Sequence, residues 1–477
     1  MKRKNYIYIF LAGIIVMSSC KKQFLVETPP SATPVTSAIV TDYDMSDAVN
    51  GMYAAMRSSS LFGRDIPVLG DVFSDNVYVS STNSGRYLSE NNFSMNNLNG
   101  EASDIWTQGY FTILQANRII NSSIPTDATN SQLRGEAYTA RALTYLEMVN
   151  YFGQSYNVSP TALGVPIVTG YTGPGTEPSR NTVSDVYARM IKDLDSAYVL
   201  MGTTPISSAY HATNSEYLAK YAAKAIEARV YLYKGDYANA LAAALLVIQN
   251  GGYTLVPSTG LAAYWANPAA LTNKQETIFE LALNLASNNG TNGLDYMYAQ
   301  AGYGDLLCAT DLYNLYSTTD ARRGLILNGT RGGLQAYIVN KYSNVTNASD
   351  KDDIKIIRYA EVLLTAAEAY AQTGDNVNGA LYLNMVAKQR DPSFLGYTDV
   401  GTALINDILT ERRKELAFEG LRWFDLTRTN AVVNRLTTAP QAASTLNVVP
   451  VGATYRLMPI PFTELSANPN ITQNPGY

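Results

Sequence analysis

The stretches ARVYLYKGD (228–236) and AEAYAQTGD (367–375) carry Ala, Tyr, Gly and Asp at the same offsets. In each case an amphipathic run with Tyr near its end comes first. A second helical pattern follows, over 237–248 and 377–388. Small residues let two helices cross closely, and a glycine makes the turn between them. Both copies therefore predict helix–turn–helix hairpins. Working outward, the same periodicity predicts helices over 41–58, 104–121, 132–152 and 182–201. Asp and Ser cap the first, Gly153 ends the third and Thr182 caps the fourth. The Asp42, Asp44, Asp47 cluster lacks the glycine and closing glutamate of a calcium loop, so it reads as capping.

The repeat spacing resembles the tetratricopeptide pattern. The first copy adds Tyr237 and Ala240 at the expected offsets; the second holds one extra residue before Ala380. Further units are expected at Ala142/Tyr145 and from Ile405. Two segments do not fit helices. Residues 71–100 hold seven Asn and six Ser with Phe73, Tyr78, Tyr87 and Phe93 among them. Residues 251–350 mix Gly, Asn, Tyr and Trp with strand-like pieces at 277–283 and 336–342. Long irregular segments inside a compact body usually serve function. The expected fold is mainly α: a scaffold of helix pairs around 132–250 and 355–430, bearing a large irregular, loop-rich ligand-binding part.

Composition narrows the function. Of 477 residues, 46% are apolar and 16% charged, which is globular. With 35 Lys+Arg against 40 Asp+Glu the net charge is −5, so no nucleic-acid footprint is expected. His211 is the one histidine, which nearly closes off His triads and two-His metal sites; it reads as a surface or capping residue. No HExxH, GxSxG, Walker loop or CxxC occurs, and GYTGPGTEPSR (170–180) reads as a loop. Asp71 and Asp75 offer a carboxylate pair of the kind glycosidases use, but nothing singles them out. No catalytic residue, metal or cofactor is assigned.

Tyrosine is in surplus, at 35 against 12 Phe and 3 Trp. A flat ring with a polar tip suits sugars, whose faces stack while Asn, Asp and Arg grip hydroxyls. The candidates in the first irregular segment are Asp71, Asp75, Asn76, Arg86, Tyr87, Asn92 and Phe93. In the second they are Trp265, Tyr296, Tyr298, Tyr303 and Tyr313. Trp106 and Trp423 sit on amphipathic helices and read as core.

At the N-terminus, Lys2-Arg3-Lys4 precedes an apolar run over 6–17 and then Met17-Ser18-Ser19-Cys20. This resembles a bacterial lipoprotein signal, with Met17 where Leu is usual. Residues 1–19 are then a signal peptide, Cys20 the lipidated residue, 20–40 a tether and arm, and 41–477 a single body. Loss of Lys2, Arg3 and Lys4 lowers the charge from −5 to −8. No other run is long enough to span a bilayer, so lipid alone would hold the body at the membrane. Cys308 reads as buried core.

The sharpest text lies late: ERRKELAFEGLRWFDLTR (411–428) and the ending LMPIPFTELSANPNITQNPGY (457–477). Leu416, Phe418, Leu421 and Phe424 read as the apolar face of one helix. Arg412, Arg413, Glu415, Glu419, Arg422 and Asp425 are spaced for ion pairs along it. The closing Asn-Pro-Gly-Tyr reads as a turn pinning the C-terminus. Both are scaffold features.

These stretches resemble the SusD/RagB family of Bacteroidetes outer-membrane nutrient-binding lipoproteins. Arg412, Arg413, Glu415, Leu416, Glu419, Gly420, Arg422, Asp425, Leu426 and Arg428 fall on its helix motif. Ile460, Pro461, Glu464, Asn468, Pro469 and residues 473–477 fall on its ending. Residues 137–153 and 357–370 resemble two of its repeats. The resemblance implies about four tetratricopeptide-like helix pairs with an irregular binding part. It also implies an outward-facing surface lipoprotein that caps a TonB-dependent SusC-like channel as a lid hinged on that partner, and captures oligo- or polysaccharide without catalysis. The family's ligand residues do not transfer, because its binding loops vary. Rival readings are a binder of peptides or another non-sugar nutrient, a glycoside hydrolase, and an assembly scaffold without ligand.

Overall fold

A computed structural model describes residues 38–170, 175–435, 440–443 and 445–477. The signal peptide, Cys20 and most of the tether lie outside the described residues. The helices are α1 (Asp42–Met56), α2 (Asp65–Val72), α3 (Leu88–Asn91), α4 (Gly100–Ile120), α5 (Ala128–Phe152), α6 (Val183–Leu200), α7 (Lys220–Lys234) and α8 (Tyr237–Asn250). Then come α9 (Leu261–Ala266), α10 (Leu294–Tyr298), α11 (Thr310–Leu315), α12 (Tyr359–Gln372), α13 (Asn376–Arg390), α14 (Thr402–Glu415), α15 (Arg422–Arg428) and α16 (Phe462–Ala467). The long ones pack in series: α4 on α5, α5 on α6, α6 on α7, α7 on α8, α8 on α12, and α12 on both α13 and α14.

Local chemistry sets their ends. Thr41 and Asp44 form a capping box on α1, so the aspartate cluster is a cap. Thr182 and Asp185 do the same on α6. The two quoted stretches are the turns α7–α8 and α12–α13. Gly235 (φ +74°) and Gly374 (φ +91°) take the left-handed conformation each turn requires. Asp236 and Asp375 then cap the following helices, accepting from the Asn239 and Asn378 amides at 3.3 and 3.1 Å. Ala222, Ala223 and Ala225 of α7 and Ala360, Ala366 and Ala367 of α12 are buried where the helices cross.

The strands are β1 (Val77–Val79), β2 (Thr277–Leu281), β3 (Leu306–Cys308), β4 (Ile326–Arg331), β5 (Leu334–Val339), β6 (Ile354–Arg358), β7 (Val433–Asn434) and β8 (Val448–Val449). One sheet has the order β1-β3-β5-β4; β2–β6 and β7–β8 are separate antiparallel pairs. Cys308, on β3, is buried as expected, and so are Trp106 and Trp423.

Three sequence expectations are corrected. In residues 71–100 the aromatic rings face the interior rather than a ligand surface: Phe73, Tyr78, Tyr87 and Phe93 are all buried, while Asn and Ser side chains bond the turning backbone. The 411–428 motif is not one helix. It breaks between α14 and α15, where Phe418 (φ +67°) and Gly420 (φ +80°) are left-handed. Its ion pairs therefore run mostly between α14 and α15 or across the fold. Arg412 meets Asp425 at 3.0 Å, Arg428 meets Glu368 at 2.6 Å, and Glu415 meets Arg358, Arg390 and Arg322 at 2.9, 2.9 and 3.0 Å. Third, His211 has partners. Its Nε2 lies 2.9 Å from Glu136 Oε1 and its ring stacks on Tyr217 at 4.2 Å.

The C-terminus is pinned. The Asn474 amide donates to the Phe152 and Met458 carbonyls at 2.9 and 2.8 Å, and the Tyr477 hydroxyl to the Leu457 carbonyl at 2.6 Å.

Candidate ligand-binding platform

Strand β1 pairs antiparallel with β3, Val79 opposite Leu306, so the loop leaving β1 and the loop entering β3 emerge side by side. The Ser80 amide donates to the Asp305 carbonyl at 2.9 Å. The Ser84 amide donates to the Asp305 carboxylate at 3.1 Å, and the Ser84 hydroxyl bonds it as well. Arg331, beside the Gly332-Gly333 turn of the β4–β5 hairpin, ties both loops together. It donates to the Thr82 carbonyl at 3.1 Å, the Tyr303 carbonyl at 2.6 Å and Gln300 Oε1 at 3.3 Å, and pairs with Asp305 at 3.3 Å.

On this clamp sits a small aromatic platform. The Arg86 guanidinium lies 3.8 Å over the Tyr303 ring and donates to the Tyr303 hydroxyl at 2.9 Å. Tyr296 meets Tyr303 edge to face, with centroids 6.1 Å apart. Backbone bonds from the Tyr303 and Gly304 amides to the Tyr296 carbonyl hold the two rings in register. A side chain at Gly302 would come within 2.8 Å of the Tyr296 Cα and carbonyl oxygen, so only glycine allows this approach. Arg86, Tyr296 and Tyr303 are each partly exposed. The neighbouring Tyr87 anchors the strand–loop segment by donating to Asp65 at 2.7 Å.

The remaining candidates are placed elsewhere. Asp71 is buried and accepts from Asn76, Tyr298 and the Gly420 amide at 3.1, 3.2 and 3.2 Å. Burial pushes its carboxyl up to about 7 against those bonds. Asp75 is held by both sides of the Arg422 fork at 2.7 and 2.9 Å. Burial works against that carboxylate, but Arg422 and then Arg413 keep it below the usual range. Asn76 accepts from Arg413 at 3.1 Å. Phe93 packs on Phe73 and Trp423, and Asn92 caps its own turn at Ser94. Tyr298 is 0% and Trp265 4% exposed; Tyr298 stacks on Tyr342, and Lys341 lies 4.1 Å over Trp265. These seven residues, with Tyr87, belong to the scaffold, because their polar atoms or rings are already engaged by the protein.

Tyr313 forms a second, separate group. It stacks on Tyr337 at 3.9 Å, with the Arg323 guanidinium 4.5 Å over its ring. Sequence reading missed Arg331, Gln300, Asp305, Arg323 and Tyr337. One signal was present: Gly-Gly between two short alternating runs marks the hairpin that delivers Arg331 and Tyr337. Among the described residues no cluster of His, Cys, Asp and Glu is arranged to hold a metal.

Two family models match the chain: the SusD family over residues 327–477, and a family described as starch-binding and associating with the outer membrane over residues 23–232. A chain from Bacteroides vulgatus, provisionally named a sugar-binding protein, is 30% identical with a TM-score of 0.82. It matches 92% of this chain and 100% of its own length. The chain belongs to the SusD family. A second SusD superfamily structure from Bacteroides vulgatus is 28% identical, with a TM-score of 0.83 over 92% of this chain and all of its own. SusD-like protein P2 of Formosa agariphila is 28% identical over 99% of this chain and 100% of its own length. In a SusD-family frame, the 411–428 motif is one place where the two matched regions lock together. Arg413 and Arg422 from the later region grip Asp75 from the earlier one.

Proposed function

We propose that this SusD-family chain binds glycan at the cell surface and hands it to a TonB-dependent SusC-like channel, itself performing no catalysis. The observation that carries the reading is the Arg86–Tyr303–Tyr296 platform, with two partly exposed rings and polar groups set around them. Sugar rings offer flat C–H faces to such tyrosines and hydroxyls to the surrounding donors. If each stacked face removes on the order of 100 Å² of apolar surface, it contributes about 2.5 kcal/mol. Two stacks, less the cost of association, give micromolar to millimolar affinity. That range suits a protein that must release its cargo.

The match to the starch-binding family and the likeness to the Bacteroides vulgatus chain provisionally named a sugar-binding protein support this reading. The carboxylates speak for binding without hydrolysis. Asp71 and Asp75 are both committed to protein donors, so neither is open to act as acid or nucleophile. For attachment, no described helix is long and apolar enough to cross a membrane. The proposed anchor is lipid on Cys20, with residues 1–19 as signal, 20–40 as tether and 41–477 as one body at the outer-membrane surface.

The test is affinity electrophoresis of the body without Cys20 against plant, fungal, microbial and host polysaccharides. The expected result is retardation by at least one glycan, lost in Tyr303→Ala and Tyr296→Ala. Retardation by none would sink the glycan reading, and binding of peptides released from a digest would then replace it.

A further inference from the structure

Many arginines of the fold pair with carboxylates, while Arg57, Arg118, Arg134, Arg180, Arg323, Arg435 and Arg456 bond neutral acceptors. Arg358, Arg390, Arg412 and Arg428 in the interior each meet a carboxylate. Arg331, Arg413 and Arg422, which reach the surface, do so as well. On the platform the exception is Arg86. No carboxylate among the described residues lies within ion-pair distance of it. Its partners are neutral: the Tyr303 hydroxyl at 2.9 Å and Ser84 Oγ at 3.2 Å.

Those two bonds use two of the five N–H groups of a guanidinium. The Nε–H has no acceptor among the described residues, and it is not among their buried unpaired atoms. Stacking at 3.8 Å on Tyr303 holds the group in one place, so little ordering cost remains when a ligand arrives. Arg331 and Asp305 beside it pair with each other, and Arg86 has no such partner among the described residues.

We propose that the platform selects acidic glycans, gripping a uronate carboxylate or a sulfate ester through Arg86 while the sugar face lies on Tyr303 and Tyr296. This rests on the glycan-binding reading above and adds the ligand class. The physical ground is the strength of the contact. A guanidinium bond to an anionic oxygen is about twice as strong as one between neutral groups, and its planar fork matches carboxylate and sulfate. A neutral hydroxyl makes the weaker of the two contacts.

The experiment compares matched polymers on the body without Cys20. Polygalacturonate is set against its carboxyl-reduced form, and dextran sulfate against dextran, in affinity electrophoresis and calorimetry. The expected result is binding to at least one acidic member and not to its neutral partner, weakening as salt rises. The pair that responds tells carboxylate from sulfate. Arg86→Gln should lose about tenfold or more of that affinity with an unchanged melting profile, and Arg86→Lys should recover part of it. Equal or tighter binding to the neutral partner would overturn the acidic class and leave the glycan reading standing. Silence toward both acidic polymers would also overturn it; if neutral panel glycans still bind, the glycan reading survives. An Arg86→Gln protein that binds as before, or a loss seen only in Arg323→Gln, would remove Arg86 from the role.

Discussion

His211 sits in a chain of contacts that its sequence neighbours do not announce. Glu136 accepts from Tyr53 at 2.8 Å and from Gln132 at 2.9 Å while facing the imidazole. Burial lowers the histidine pKa, but the Glu136 hydrogen bond and charge prevail and raise it above 6.5. A raised folded value stabilises the fold below the unfolded pKa, and that stability is lost as pH rises through the folded value. Proton resonances of His211 should therefore titrate above 6.5, and Glu136→Gln should bring the midpoint down. A wild-type midpoint below 6.5 would refute this. Gly420 makes a second case. It is left-handed, and a Cβ there would sit 2.4 Å from the Pro67 Cα, while a Cβ on Gly70 would sit 1.8 Å from the Gly420 oxygen. Gly420→Ala should cost about 2–4 kcal/mol by denaturant melts, since backbone cannot give way as a side-chain tip can. The glycine was legible in the motif; its reason was not, because α2 lies some 350 residues away in the chain.

The α14–turn–α15 element shows how far spacing can mislead. Charges at helical intervals suggested one scaffold helix paired along its own length, and two such pairs exist, Glu411–Lys414 and Asp425–Arg428. Arg412–Asp425 joins α14 to α15 across the break, and the rest reach outward, because the break at 416–421 turns the element into the floor of a buried charge network. Glu415 and Glu276 share Arg358 and Arg390, and Glu419 meets Arg358 and Lys341 at 2.7 and 2.6 Å. Burial opposes ionisation of Glu415, yet Arg390, Arg358 and Arg322 hold it well below its ordinary value. Glu415→Gln should cost about 3–5 kcal/mol, because three arginines lose a buried counter-charge. Calorimetric melting near neutral pH reads this, and an unshifted transition would show the network to be dispensable. In the two helix hairpins spacing did suffice. Asp236→Ala and Asp375→Ala should each cost about 1 kcal/mol, with similar losses in both copies.

At the scale of the whole molecule, both chain regions and the C-terminus close on one core. Asn474 bridges the end of α5 and the segment before α16 through two carbonyls. Asn474→Ala should lower stability by about 1–3 kcal/mol, as two buried carbonyls lose their donor. Deleting 473–477 should lower the melting temperature further, and a deletion without effect would show the ending to be an appendage. The chain by itself determined the mainly helical class, the hairpins, their caps and the family, because periodicity, capping and a dense motif are local and survive in one dimension. It also placed Arg86, Tyr296 and Tyr303 among the ligand candidates, but beside nine others that the fold keeps for its scaffold or sets apart. Burial and partnership depend on contacts between distant segments, and no single stretch of sequence records them. Only the pairing of β1 with β3, and the hairpin that brings Arg331 across, decided which tyrosines stand together with an unpaired guanidinium between the loops.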